Sequence, residues 1–436
     1  MSSFLDNYFE ITKRGSTVSR EILAGMTTFA TMAYIIIVNP KILEAAGIPF
    51  GPSMVATIIS AVFGTLAMGL YAKRPFAVAP YMGENAFIAF TVVKVMGHTW
   101  QTALGAIFFG GILFIIFTVT GIRSWLIRAI PKNLKNAFVA GIGLFLAFIG
   151  LNTTGIVNVG IPGAPVHIGD LTNPAVLLAV GCFFLTAILM ARNINGALII
   201  GIIVTSCLAI GIGIADLPET LFSTPPSLEP IMFKLDILGA LNWAFISVIL
   251  TVFVLDFLDT MGTLYAVSHR AGLLDKNGDL PQIERPLMVD AVTTVFASLL
   301  GTTTTGVFVE SATGIEAGGR TGLTAVTTAI LFLAALFLAP LLTIIPACAY
   351  GPSLIVVGML MLAPCKELEL DDISELVPAF LVITLMSFTY NLGIGMTAGF
   401  IAYPVMKAVT GKLNQVSPGL WVLCLLSVVF FITCPH

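Results

Sequence analysis

Residues 302–316 read TTTTGVFVESATGIE, and residues 74–87 read RPFAVAPYMGENAF. Each begins with a β-like stretch, hydroxyl-rich in one and Pro-interrupted in the other, and turns helical at an acid, Glu310 or Glu84. Neither reads as an unbroken apolar helix, yet both lie among apolar runs. Pro/Gly-interrupted spans at matching places in two halves of a membrane protein mark where a ligand is held. The fold follows from what surrounds this pair.

Of 436 residues, 57% are hydrophobic and 10% charged, against about 25% charged in an ordinary soluble domain. A water-soluble enzyme is excluded. The net charge is -3, from 20 Lys+Arg and 23 Asp+Glu, which leaves no basic surplus for a nucleic acid. The six cysteines, Cys182, Cys207, Cys348, Cys365, Cys424 and Cys434, show no CxxC spacing or Cys/His clustering, so neither a metal nor a cofactor is expected.

Apolar stretches of about 20 residues, the length that crosses a hydrocarbon core, recur near 20–39, 53–72, 76–95, 102–121, 136–152, 174–191, 195–214, 240–264, 287–301, 306–319, 323–343, 346–363, 373–390 and 393–409. The expectation is an all-α polytopic membrane protein with fourteen spans. With the N-terminus inside, inner segments hold Lys13, Arg14, Arg20, Lys73, Arg74, Arg123, Arg128, Lys132, Lys135, Arg192, Arg270, Lys276, Arg285, Arg320, Lys366, Lys407 and Lys412. The outer side keeps Lys41, Lys94 and Lys234. By the positive-inside rule both ends of the fourteen-span unit are cytoplasmic. A further apolar run, 418–433, is expected to lie peripherally or shallowly rather than cross.

Fourteen spans divide into two sevens, and an odd number per half inverts the second copy. The interrupted spans three and ten are the best internal echo, with short β-like stretches ahead of half-helices. A carboxylate within a span costs on the order of 2.5–3.5 kcal/mol, and Glu84, Asp256, Asp259, Asp290, Glu310 and Glu316 have no Lys or Arg well inside their spans. They must be protonated, hydrated or kept for a ligand. Asp256, Asp259 and Thr263 share one helical face. Glu310, Ser311 and Thr313 open one half-helix, Glu84 and Asn85 the other, flanked by Tyr81, Phe87 and Phe308. Carboxylates accept paired N–H groups, amide and hydroxyl groups answer acceptors, and rings cover flat faces. A planar neutral heterocycle such as a nucleobase fits. Asp290 is expected near a span end without special duty, and Glu316 to pair with Arg320 at i+4.

Four motifs, REILAGMTTFATMAYIIIVNP (20–40), PYMGENAF (80–87), LDFLDTMGTL (255–264) and ESATGIEAGGRTGLTAV (310–326), resemble the AzgA-like purine permeases of the nucleobase/ascorbate transporter superfamily over nearly the full length. The resemblance implies a UraA-like fold of two inverted seven-span repeats, in an integral protein of a prokaryotic plasma (inner) membrane. It implies a cytoplasmic N-terminus (1–19), a core domain (20–135 and 236–343), a gate domain (136–235 and 344–412) and an apolar C-terminal segment (413–436). It also implies a homodimer and purine uptake by symport, with H+ ahead of Na+. Asp259, Glu310 and Asn85 match the family's eighth-span acid, tenth-span acid and third-span amide. Where the family usually reads Gly-Met-Gly-Leu-Asn, this chain has Tyr81-Met82-Gly83-Glu84-Asn85. The expected substrate set is Glu310, Asp259, Asn85, Glu84, Phe308, Ser311, Thr313 and Phe87, with Asp259, Glu310 and Asp256 handling the proton. No Walker motif is present, so ATP is not the direct drive. The rival readings are a sulfate-type anion transporter of the same architecture, and a channel or membrane-embedded enzyme.

Overall fold

The computed structural model describes residues 2–121, 129–161, 164–217, 220, 222–242, 245–275 and 280–433. Arg123, Arg128, Lys276, Cys434 and His436 lie outside these. Among the described residues, nine helices are long and apolar enough to cross a membrane, joined by shorter apolar ones. The chain is an all-helical membrane protein with two small two-stranded sheets.

The N-terminal α1 (Ser2–Phe9) leads to α2 (Val18–Met32) and α3 (Ile35–Glu44), which form the first long span with a break at Ala33 and Tyr34. Next come α4 (Phe50–Leu70), β1 (Val78–Pro80), α5 (Met82–Ala86), a π-helix over Phe87–Val95, and α6 (Trp100–Thr120). α7 (Lys132–Thr153) is followed by a hairpin, β2 (Val157–Ile161) with β3 (Ala164–Ile168), then α8 (Pro174–Ala191) and α9 (Ala197–Gly211). The second half holds α10 (Ile237–Ala240), α11 (Ile246–Arg270), α12 (Glu284–Leu300), β4 (Thr305–Val307), α13 (Ser311–Glu316) and α14 (Gly322–Ala335). A 3-10 turn joins α14 to α15 (Ala339–Thr343), and α16 (Ala347–Leu360), α17 (Ile373–Phe388), α18 (Leu392–Val409) and α19 (Pro418–Thr433) complete the chain.

Two packing groups emerge. α2, α4, α6, α11, α12 and α14 pack against one another, whereas α7 packs on α16 and α17, α17 on α18, and α8 on α9 and α16. Lipid chains are as apolar as the side chains, so helices in a membrane associate through close approach and polar links. At the α7–α16 crossing Gly143 and Gly358 face each other: a Cβ on either would lie 2.6 or 2.3 Å from the other's carbonyl oxygen. Glu21 supplies a polar link. Fully buried on α2, it accepts the Arg320 N–H (3.0 Å), the Thr321 N–H (3.1 Å) and the Thr324 hydroxyl (2.6 Å), capping α14. A carboxylate is favoured beside a helix N-terminus, so this buried acid is satisfied without a cation. In the other group, buried Lys407 on α18 meets Glu375 on α17 at 2.7 Å, and Tyr403 donates to the same carboxylate at 2.8 Å.

Several of the segments rich in Lys and Arg make contacts with other connections. Arg14 donates to the Arg320 carbonyl (3.4 Å), Arg74 to that of Pro281 (2.5 Å), and Lys132 pairs with Glu367 (2.9 Å). Glu316 pairs with Arg270 at 2.7 Å, not with Arg320. The Arg320 guanidinium is taken by the carbonyls of Ile315 and Gly319, because α13 ends at Glu316 and the chain turns before i+4 can be reached. Segments expected outside also meet, as where the Asp236 N–H reaches the Gln101 carbonyl (2.9 Å). The run after residue 413 forms α19, packed on α18 with Leu420 buried and Trp421 exposed.

Candidate substrate site

The interrupted spans meet in the interior as an antiparallel pair, β1 with β4, in the register Val78↔Val307, Ala79↔Gly306 and Pro80↔Thr305. Strand edges cannot be left bare at membrane depth, where no water answers their N–H and C=O groups. Here hydroxyls complete the ladder. Thr65 accepts the Val78 N–H (2.9 Å) and donates to its carbonyl (3.0 Å), Ser311 accepts the Ala77 N–H (3.0 Å), and Thr294 accepts the Thr305 N–H (3.1 Å). Thr302, Thr303, Thr304 and Thr305 are all fully buried. The hydroxyl run that looked unlike a membrane span is the polar lining a short buried sheet needs.

Gly306 lets an aromatic ring lie on this sheet. A Cβ there would come within 2.1 Å of the Tyr81 ring. The Tyr81 hydroxyl meets those of Thr260 (3.3 Å) and Thr263 (3.0 Å) on α11, and its ring is nearly parallel to Phe308, at a centroid separation of 6.2 Å and 9°. Overpacking a filled interior costs about 1–3 kcal/mol. Gly306→Ala is therefore expected to displace Tyr81 and cut initial uptake rates about tenfold with the protein still in the membrane, checked by uptake normalised to surface-labelled protein.

The acids form a buried cluster beside this sheet. Glu84 on α5, Asp256 and Asp259 on α11 and Asp290 on α12 come from elements in contact, α5 with α11 and, through Thr260 and Asp290, α11 with α12. Glu84, Asp256 and Asp290 are at most 1% exposed, and Asp259 is half-buried. Asp290 accepts a hydrogen bond from Thr260, whereas both Glu84 oxygens and one oxygen each of Asp256 and Asp290 have no partner among the described residues. Asp290 is thus buried against α11 and not at an exposed span end. α12 begins three residues before the expected span and carries it inward against α11.

Glu310 follows Phe308 by two residues. It is the residue before α13, half-buried, and accepts the Tyr34 hydroxyl at 2.6 Å. Tyr34 reaches it from the break between α2 and α3. Thr313 donates to the Glu310 carbonyl (2.7 Å) and meets Thr31 (3.0 Å), anchoring α13 to α2. No hydrogen bond joins Glu310 to Asp259 among the described residues. The two are linked through Phe308, the Tyr81 ring and the Thr260/Thr263 hydroxyls. Ser311 is occupied by the Ala77 N–H, and Asn85, fully buried, donates to Asn39 and accepts from Thr303. Phe87 is buried at the head of the π-helix. Ser311, Thr313 and Asn85 are therefore engaged in holding β1, α13 and α3 together, and Glu310, Phe308, Tyr81 and the α11 hydroxyls lie along one connected run of contacts.

A family model described as "Permease family" (Xan_ur_permease) matches residues 19–400. The chain belongs to this family, in its AzgA-like branch. It is a transporter rather than an enzyme. The permease is similar to the putative permease MJ0326 of Methanocaldococcus jannaschii, 47% identical over 98% of this chain and 97% of that one. It is 40% identical to the adenine permease AdeP of Escherichia coli K12, over 97% of this chain and 94% of the other. It is 39% identical to the guanine/hypoxanthine permease PbuO of Bacillus subtilis 168, over 97% and 99%. The transmembrane domain of a cyanobacterial bicarbonate transporter, BicA, superposes with a TM-score of 0.64 at 17% identity, covering 87% of this chain and 96% of that one. That likeness is one of fold alone.

Three residues of the permease have partners that the sequence alone does not give. Tyr34 stands in an apolar run, and only its proximity to Glu310 gives it a role. Asn39 has a visible signal, an amide beside Pro40 inside an apolar span, and it joins Asn85 to Thr57 (2.7 Å) and Thr302 (3.1 Å). Asp290 looks terminal until the start of α12 is known.

Proposed function

We propose that this permease imports purine nucleobases with protons, the base docking between α5 and α13 with its hydrogen-bonding edge at Glu310. The observation that carries the reading is Glu310 itself: half-buried at the start of α13, one oxygen held by Tyr34, and beside the parallel Tyr81–Phe308 rings. An ionised carboxylate accepts N1–H and the 2-amino group of guanine, or N1–H of hypoxanthine. Adenine has no N1–H and requires a protonated acid or another pose. Guanine and hypoxanthine are therefore favoured and adenine possible, and the relatives named for adenine and for guanine/hypoxanthine, nearly equal in identity, support purines as the class.

The acid cluster supports proton rather than Na+ coupling. Its members face one another without a paired Lys or Arg among the described residues, and accumulating negative charge in a buried site is costly. The same charge argues against an anion as cargo despite the BicA-like fold. In this reading the fourteen spans form two inverted repeats. A core domain (20–135 and 236–343) carries the site past a gate domain (136–235 and 344–412), and the protein acts as a homodimer in a prokaryotic plasma membrane with both ends of the fourteen-span unit in the cytoplasm.

Purified protein in liposomes, given radiolabelled guanine, hypoxanthine, adenine, xanthine, uracil and sulfate at two external pH values, tests this. Saturable guanine or hypoxanthine uptake that rises at the lower external pH is expected. Sulfate flux without purine flux overturns the reading.

A further inference from the structure

Apart from the acid cluster, a cavity of about 340 Å³ is bounded by Glu10, Arg14, Lys73, Arg74, Gln282 and Arg285. Three separate connections build it: the turn between α1 and α2, the link from α4 to β1, and the loop entering α12. Four basic side chains stand against one acid, and Glu10 is already engaged by Lys13 at 3.1 Å and Arg14 at 4.0 Å.

Two observations set this pocket apart from a solvated basic face. Arg74 is only 8% exposed, and although one of its terminal nitrogens donates to the Pro281 carbonyl (2.5 Å), its buried Nε has no partner among the described residues. Burial and the neighbouring guanidinium groups of Arg14 and Arg285 pull Arg74 down to about 10. A buried guanidinium with an unused donor, beside two others, is a cost that a bound anion would offset. The second observation is backbone strain. Glu10, Lys73 and Gln282 all have left-handed φ values (57°, 53° and 56°), and all three line this cavity. Non-glycine residues in that region persist where their surroundings hold them, often around ligands.

We propose that this pocket binds a phosphate group, carried by an anionic phospholipid headgroup or by a free phosphate ester. Guanidinium groups match phosphate oxygens in forked geometry, and Arg74, Arg285 and Arg14 converge from the three connections. A phosphate seated among them ties these connections together at the edge of the packing group that contains the acid cluster, and so bears on how readily that group shifts.

The test uses full-length protein in nanodiscs and substitutes the half-buried Lys73 and the exposed Arg285, leaving the buried Arg74 in place. Thermal unfolding is measured for wild type and for the Lys73→Gln/Arg285→Gln double variant. In one arm the discs are neutral phosphatidylcholine and inorganic phosphate or guanosine monophosphate is titrated. In the other, no phosphate is added and the discs contain about one third phosphatidylglycerol. A wild-type rise in midpoint of several degrees in either arm, at least halved in the double variant, supports the site, and the responding arm identifies the source. No rise in both arms, or an equal rise in the double variant, overturns it. Arg74→Lys, which keeps the charge and loses the fork, is expected to weaken the response while leaving the unliganded midpoint within a few degrees. Because the readout is unfolding and not flux, its failure is distinct from a failure of the purine reading.

Discussion

Glu310→Gln is expected to raise the KM for guanine uptake about 10–150-fold. The amide retains the side-chain volume and one carbonyl acceptor, but replaces the second acceptor with a donor facing the donors of Tyr34 and of the base. A hydrogen bond to a charged group is worth about 1.5–3 kcal/mol, and that loss converts to the stated range at 1.4 kcal/mol per tenfold. Adenine, whose ring N1 is an acceptor, is expected to lose less than guanine, so the guanine-to-adenine preference should fall along with affinity. Competition of unlabelled bases against labelled hypoxanthine measures both. Uptake unchanged for every base would remove Glu310 from the substrate site.

Asp259→Asn is expected to separate movement from coupling. Asp259 is the partly accessible member of the acid cluster, whereas Glu84, Asp256 and Asp290 are sealed. In the proposed cycle it is therefore the group through which a proton reaches the cluster. For one proton carried per base, a gradient of one pH unit supports about tenfold accumulation, since one unit is 1.36 kcal/mol. In the variant the accumulation ratio should fall to about one, with exchange of labelled for unlabelled guanine continuing. Liposomes with an imposed pH gradient measure the first quantity and preloaded liposomes the second. Accumulation that still follows the gradient would move the coupling role to another acid.

The sequence carried the broad architecture because membrane crossing imposes length and apolarity on each segment separately. α6, α7, α8 and α16 begin or end within a few residues of the stretches read from hydropathy alone. The interrupted spans were legible for the same reason in reverse: Pro75, Pro80 and the run Thr302–Thr305 violate that demand. Pairwise relations were hidden. Glu316 and Arg320 have the right spacing for an ion pair, but that spacing counts only while the helix continues, and α13 stops at Glu316. The chemistry of Asn85 and Ser311 points toward a ligand, and what no local pattern shows is that Asn39, Thr303 and the Ala77 N–H also engage them within the fold. Glu21 stands at the edge of an apolar run. Its three donors come from residues about 300 positions away, a distance no local pattern bridges.

In the proposed docking mode, the pairing of β1 with β4 sets the character of the binding step. Walls laced edge to edge by main-chain bonds have little freedom to collapse onto a guest, so the cost of ordering them was met when the chain folded. A ligand entering such a preorganised cleft gives up chiefly its own tumbling. Discrimination between one heterocycle and another then rests on which ring edge finds matching donors and acceptors, and little on how far the protein can reshape itself around the wrong one.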